Sequence, residues 1–258
     1  MSGDVSRETD AAEAGQDSLR EAPPAPEVAR GVFPLERLAL AERYAAWLAD
    51  AGVVRGLIGP REVPRLWDRH VLNCAVLERL LPDGASVADV GSGAGLPGIV
   101  LAIARPDLRL TLIEPLLRRT VFLEEVSADL GLTNVEVVRG RADALHGVRS
   151  FDVVTSRAVA PLERLLRWSM PLVAADGAMV ALKGSAADAE VDPAGPVLAR
   201  LGCAPPEIVR FGEDVLAEPT AAVRVAWADP SRVSLRPARA ATATASGGGR
   251  KRRRNRGR

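Results

Sequence analysis

The sequence predicts an α/β chain: a doubly wound sheet of seven strands, mostly parallel with an antiparallel edge, carrying an N-terminal helical cap. Three observations point to it. From residue 85 onward, short Val/Leu/Ile runs bounded by turns alternate with helical segments, as in βαβ units whose strands are buried on both faces. The first run, Val87-Ala88-Asp89-Val90, passes directly into a glycine-rich turn and a helix. The last two strand-like runs have no clear helix between them, which suggests a hairpin at one edge.

Residues 1–30 are acidic, rich in Ala and Pro and without periodicity, a composition that predicts disorder. Residues 31–84 form the cap. Between Phe33 and Ile58, Leu35, Leu38, Leu40, Tyr44, Trp47 and Leu48 recur at near-helical spacing. A second helix is predicted from Val63 to Leu81, with Leu66, Trp67, Val71, Leu72, Val76, Leu77 and Leu80 on its apolar face. Pro60, Pro64 and Pro82 punctuate these segments. Residues 85–230 then carry strands at 86–90, 109–113, 135–139, 151–155, 177–183, 206–211 and 221–228. Helices fill the gaps at 97–105, 116–130, 161–173 and 186–201. The first of these is apolar all round and should be buried, whereas Arg118, Arg119, Glu124, Glu125 and Asp129 give the second a wet face. Residues 231–258 read as a disordered linker and basic tail.

The composition narrows the class. A hydrophobic fraction of 47% with only 3% aromatics predicts a sizeable aliphatic core. No apolar run reaches the roughly 20 residues of a membrane helix, and the start lacks the features of a signal peptide, so a cytoplasmic protein without membrane partners is expected. Cys74 and Cys203 sit in apolar surroundings and read as buried reduced thiols. No metal site is predicted. The net charge of +1 conceals an asymmetry: residues 250–258 hold seven basic groups and no acid. The first 27 residues hold seven acids against two arginines. The tail reads either as a polyanion contact or as a solvated extension.

The chemistry centres on residues 87–98. Glycines at 91, 93 and 95 let a ligand lie against bare backbone, and Pro97 suits the first helical turn. Gly93, Gly95 and Gly98 fit the dinucleotide pattern G-x-G-x-x-G, whereas Asp89 to Gly95 fit D-x-G-x-G-x-G, which resembles S-adenosylmethionine-dependent methyltransferases. The second reading is favoured. There is no room for a separate substrate domain after Asp229, and acid–base groups before the tail are few: Tyr44, His70, His146 and Lys183.

In such sheets ligands bind beyond the carboxyl ends of the strands. Strand one delivers Gly91 to Leu96. Strand two delivers Glu114, which can accept from both ribose hydroxyls or simply favour a helix N-terminus. After strand three, Asp143 with a neighbouring amide matches the N6 donor and N1 acceptor of adenine; alternatively it caps a short helix around 143–147. Strand four delivers Arg157, suited to a cofactor carboxylate or an RNA phosphate, or an ordinary surface arginine. The segment after strand four lacks both the Asn/Asp-Pro-Pro-aromatic run of exocyclic-amine methylation and a nucleophilic cysteine. Guanine N7 fits better, because its lone pair is free and transfer needs mainly in-line positioning.

Three segments together resemble one family, the small-subunit ribosomal RNA methyltransferase G family, also called glucose-inhibited division protein B. They are Leu66 to Asn73, Asp89 to Gly98 and Phe151 to Ala158, within a resemblance that covers residues 33 to 229. It implies a Rossmann-like class I methyltransferase fold and methyl transfer from S-adenosylmethionine to N7 of guanine 527 in 16S rRNA, free or in the small ribosomal subunit. By resemblance, Gly91 and Leu96 contact the cofactor in the first turn, beside Gly93. Ala142 and Asp143 meet adenine, Arg157 follows strand four, and Glu114 holds the acidic ribose position. No general base is assigned. Arg61, Arg65, Arg69, Arg118, Arg119, Arg139 and Arg141 are the candidate RNA contacts. The rival readings are an NAD(P)-binding oxidoreductase and a non-catalytic RNA-binding protein on the same fold.

Overall fold

Seven strands form one sheet in the order β3-β2-β1-β4-β5-β7-β6. The strands are β1 (Ser86–Val90), β2 (Arg109–Glu114), β3 (Val135–Arg139), β4 (Phe151–Arg157), β5 (Val173–Leu182), β6 (Glu207–Phe211) and β7 (Thr220–Ala226). The computed structural model describes residues 21–157 and 159–233. Residues 1–20, the basic tail from 234 onward and Ala158 lie outside the described residues. Residues 21–30, expected to be disordered, are instead packed on the cap, where Glu27–Gly31 form a 3₁₀ turn, Ala29 is buried and Trp67 Nε1 donates to the Pro23 carbonyl at 2.8 Å. Strands β1 to β5 pair in parallel, and β7 runs antiparallel to both β5 and β6. The reversed strand therefore sits one place in from the edge, inserted between β5 and β6.

Side-chain alternation along each strand feeds two apolar layers. Val87, Leu110, Leu112 and Val153 face one layer; Ala88, Val90, Ile113 and Val154 face the other. The first layer contains α3 (Gly98–Ala104), part of α4 (Leu117–Asp129) and the cap. The second contains α5 (Leu162–Ser169) and α6 (Ala187–Leu201). All seven residues of α3 are buried, as its uniformly apolar sequence predicts.

The cap departs from two continuous helices. α1 (Leu38–Trp47) runs on into a π-helical turn, Leu48–Gly52. The second stretch is a 3₁₀ turn (Pro60–Arg65), a π-helical segment (Leu66–Leu72), a single α turn, α2 (Asn73–Ala75), and a further 3₁₀ turn (Val76–Leu80). Leu35, counted above among the helical apolar positions, is 73% exposed and precedes α1. Tyr44 is fully buried, and its hydroxyl donates to the Ala94 carbonyl at 2.8 Å. The cap is thereby tied directly to the glycine turn.

Cys74 is buried as expected, but Cys203 is only half-buried, at a bridge beside Trp227 on the sheet's rim. β5 begins at Val173 rather than 177. The added stretch includes Asp176-Gly177, an irregularity within the strand where pairing with β4 slips between Phe151 and Val153. A Cβ on Gly177 would stand 2.6 Å from the Asp152 carbonyl oxygen, so that close approach needs glycine. Among the described residues no helix is long and apolar enough to cross a membrane, and no His/Cys/Asp/Glu cluster could hold a metal ion.

Candidate functional site

The turn after β1 is held by bonds within the fold. Gly91 and Ser92 donate to the Ile113 carbonyl at 2.8 and 3.3 Å; Gly95 and Leu96 donate to the Ser92 carbonyl at 2.7 and 3.2 Å. The Gly93 amide donates to Glu114 Oε2 at 3.1 Å. The turn thus spends most of its N–H groups internally, which revises the simplest picture of bare amides facing a ligand. A Cβ on Gly93 would meet only the Gly91 carbonyl oxygen, 3.8 Å away, so this position opens onto free space edged by an acceptor.

Asp89 lies beneath the turn, fully buried, with Oδ2 accepting from the Gly98 amide at 3.0 Å. The start of α3 therefore already holds a carboxylate. Burial pushes the Asp89 carboxyl up to about 7, against the opposing Gly98 hydrogen bond, and Oδ1 has no partner among the described residues. A folded-state value above the unfolded one means protonation stabilises the fold, and stability drains as pH rises from about 4 through 7. Asp89→Asn carries no such cost. Its melting temperature relative to wild type should rise between pH 5 and pH 8, by the equivalent of about 3 kcal/mol. A pH-independent difference in thermal unfolding would contradict this.

Glu114 ends β2 with only 1% exposure. Besides Gly93, it accepts from the Leu116 amide at the mouth of α4 at 3.0 Å, so the helix-terminus reading is met as well. Arg119 stands 3.5 Å from Oε2. A carboxylate offers about four acceptor positions, and Gly93, Leu116 and Arg119 take three, so one remains for a ligand's hydroxyl.

Past β3, a 3₁₀ turn runs Ala142–Leu145. Asp143 does not cap it; its half-exposed carboxylate pairs with Arg141 at 3.3 Å. The amides of Ala142 and Asp143 open that turn, where an intrahelical acceptor is missing. Carboxylate and amides stand side by side, as adenine recognition requires. If they meet adenine, Asp143→Ala should weaken adenosine-ligand binding by about 2 kcal/mol, roughly thirty-fold, in a calorimetric titration. Unchanged affinity would remove Asp143 from the site.

Gly91, Gly93, Leu96, Glu114, Ala142, Asp143 and Arg157 all line one cavity of about 660 Å³, within the size range of small-molecule sites. Its far wall comes from the cap: Leu57, Ile58, Glu62 and His70. Trp168 of α5 and Val159 complete it. No motif marked the cap residues, although His70 stood within a family-like segment. Arg157 is half-buried rather than a free surface group and bonds back to the cap.

The remaining acid–base groups are committed elsewhere. His146 Nε2 lies 2.9 Å from the Trp168 carbonyl oxygen. Lys183 Nζ donates to Glu190 Oε2 and the Ala160 carbonyl, both at 2.7 Å. A second cavity, of about 1,090 Å³, shares Arg157 and Val159 with the first and is edged by Arg65, Arg69 and Arg210. Of the candidate RNA contacts, Arg69, Arg119 and Arg141 are paired to carboxylates. Arg61, Arg65, Arg118 and Arg139 are exposed.

Comparison with known proteins bears on this arrangement. A family model described as GidB, rRNA small subunit methyltransferase G, matches residues 37–213. A Nocardioides protein named ribosomal RNA small subunit methyltransferase G is 67% identical over 218 residues, covering 84% of this chain and 87% of its own length. A protein of the same name from Streptomyces avermitilis is 56% identical over 206 residues, covering 80% and 86%. A third, from Rhodococcus jostii, is 59% identical over 199 residues, covering 76% and 87%.

Proposed function

Because this chain belongs to the rRNA small subunit methyltransferase G family, we propose that it transfers a methyl group from S-adenosylmethionine to N7 of guanine 527 in 16S rRNA. The observation that carries the donor assignment is the charge character of the glycine turn. A pyrophosphate needs free amides at the helix start. Here Gly98 already serves Asp89, while Gly93 opens beside the Gly91 carbonyl oxygen. Acceptors and carboxylates suit the ammonium and sulfonium of S-adenosylmethionine and disfavour a dinucleotide.

S-adenosylmethionine, when bound, supplies an electrophilic methyl group on a cationic sulfur. The chain's residues bind and orient. Glu114 would accept from a ribose hydroxyl, Ala142 and Asp143 would meet the adenine edge, and Gly93 leaves room for the chain of the amino acid. Arg157 offers donors to the amino-acid carboxylate. No residue is assigned as a base, in keeping with the committed state of Tyr44, His146 and Lys183. Guanine N7 needs none, since its lone pair attacks directly and the positive charge passes to the ring.

The acceptor base approaches through the second cavity, where Arg157 and Val159 form the common wall. Exposed Arg65 edges this approach from the cap and suits a phosphate contact. Such an activity on ribosomal RNA would act in the cytoplasm. The test is incubation with labelled S-adenosylmethionine and either 16S rRNA or small subunits, followed by mapping of the modified nucleotide. Label at N7 of guanine 527 supports the proposal; label at another nucleotide, or none, contradicts it.

A further inference from the structure

Arg157 reaches the cavity from the end of β4, yet its guanidinium is anchored by the cap. Nη1 donates to the Arg69 carbonyl at 3.2 Å and lies 3.3 Å from Cys74 Sγ; Nη2 donates to His70 Nδ1. A guanidinium has donors only, so His70 Nδ1 must accept. The proton of the neutral ring then sits on Nε2, which stands 3.0 Å from Glu62 Oε2. Burial, reinforced by the Arg157 charge, holds His70 below the ordinary histidine range, which keeps the Nδ1 lone pair available. Glu62 is steadied in turn by Arg69 at 3.3 Å.

Glu62, His70 and Arg157 all line the first cavity, and Arg157 also lines the second. The Arg157 Nε–H has no protein acceptor among the described residues, and it belongs to the same planar group that His70 orients. Rotation of that plane would carry the remaining donors away from the junction between donor and acceptor spaces.

We propose that His70 is a positioning residue: oriented by Glu62, its Nδ1 fixes the Arg157 guanidinium so that the free donors meet the carboxylate of bound S-adenosylmethionine. The proposal rests on the donor reading above and adds the group that sets Arg157. It places the site's adjustment in the cap, outside the glycine-turn domain.

Two substitutions separate positioning from packing. In His70→Asn the side-chain oxygen can stand where Nδ1 stands and keep the bond to Arg157. In His70→Gln the terminal amide reaches the place of Nε2 and Glu62 but offers no acceptor at Nδ1. Calorimetric Kd values for S-adenosylmethionine are measured for wild type, both variants, Arg157→Ala and the His70→Gln/Arg157→Ala double variant, with thermal unfolding in parallel. His70→Gln is expected to weaken binding about tenfold and His70→Asn no more than about threefold. In the Arg157→Ala background His70→Gln should add less than about twofold. Equal losses in the two variants, a wild-type His70→Gln, or an undiminished loss without Arg157 would each overturn the assignment. Failure of wild type itself to bind S-adenosylmethionine would sink the donor reading and this inference together. Binding by wild type without the split between variants would sink this inference alone.

Discussion

Gly93→Val is expected to abolish binding of S-adenosylmethionine while the protein remains folded. Gly93 has φ +57, where a β-branched residue is strained by an amount on the order of 1–2 kcal/mol. That cost is small beside the stability of an ordinary domain, about 5–15 kcal/mol. The side chain itself meets no packed neighbour, since only the Gly91 carbonyl oxygen stands near the Cβ position. The valine methyls therefore occupy the space assigned to the ligand. A loss of more than about a hundredfold in Kd should accompany a modest fall in melting temperature. Gly98→Ala is the contrast. Its Cβ would strike the Leu112 side chain and stand 2.8 Å from Asp89 Oδ2, so that variant should lose the fold before it loses the site. Calorimetry with parallel thermal unfolding distinguishes the two; wild-type affinity in Gly93→Val would place the ligand elsewhere.

Glu114→Gln is the second large effect. The carboxylate accepts simultaneously from Gly93 and Leu116, and an isosteric amide can serve only one of them with oxygen. Its NH₂ group then faces the other backbone N–H and withdraws an acceptor from the ribose. Losing charge-assisted hydrogen bonds at a buried group should cost about 2–3 kcal/mol of donor affinity, roughly 30- to 150-fold. The loss should also appear with methylthioadenosine, which keeps the ribose but lacks the amino-acid carboxylate. Arg157→Ala, in contrast, should weaken S-adenosylmethionine and leave methylthioadenosine nearly unaffected. Calorimetric titration of both ligands reads this pattern, and equal effects of the two substitutions on both ligands would contradict the assigned roles.

The glycine turn and the strand ends were readable in the sequence because they obey local rules. Gly91, Gly93 and Gly95 need positive φ and Gly98 a close approach at fixed spacing; Glu114 and Arg157 end Val/Leu/Ile-rich strands, and Asp143 comes four residues beyond one. All seven site candidates line one cavity for that reason. Leu57, Ile58 and Glu62 escaped because their place depends on how the cap docks, a contact many residues away in the chain. The cap's π and 3₁₀ segments also defeat a simple helical period, and Leu35 falls in a separate 3₁₀ turn, Leu35–Arg37, ahead of α1. Asp176-Gly177 carries turn chemistry, yet tertiary pairing with β4 absorbs it as an irregularity inside β5. Tyr44 shows in sequence both as a helical apolar position and as one of few acid–base groups; its hydroxyl bond to Ala94 appears only when the cap meets the turn.

The most direct measurement is a calorimetric titration of the full chain with S-adenosylmethionine, repeated in the presence of excess NAD. Saturable one-to-one binding that NAD does not displace, and that Gly93→Val eliminates, is the expected result. A silent titration with S-adenosylmethionine, or displacement by NAD, would contradict the assignment of the cavity to the methyl donor.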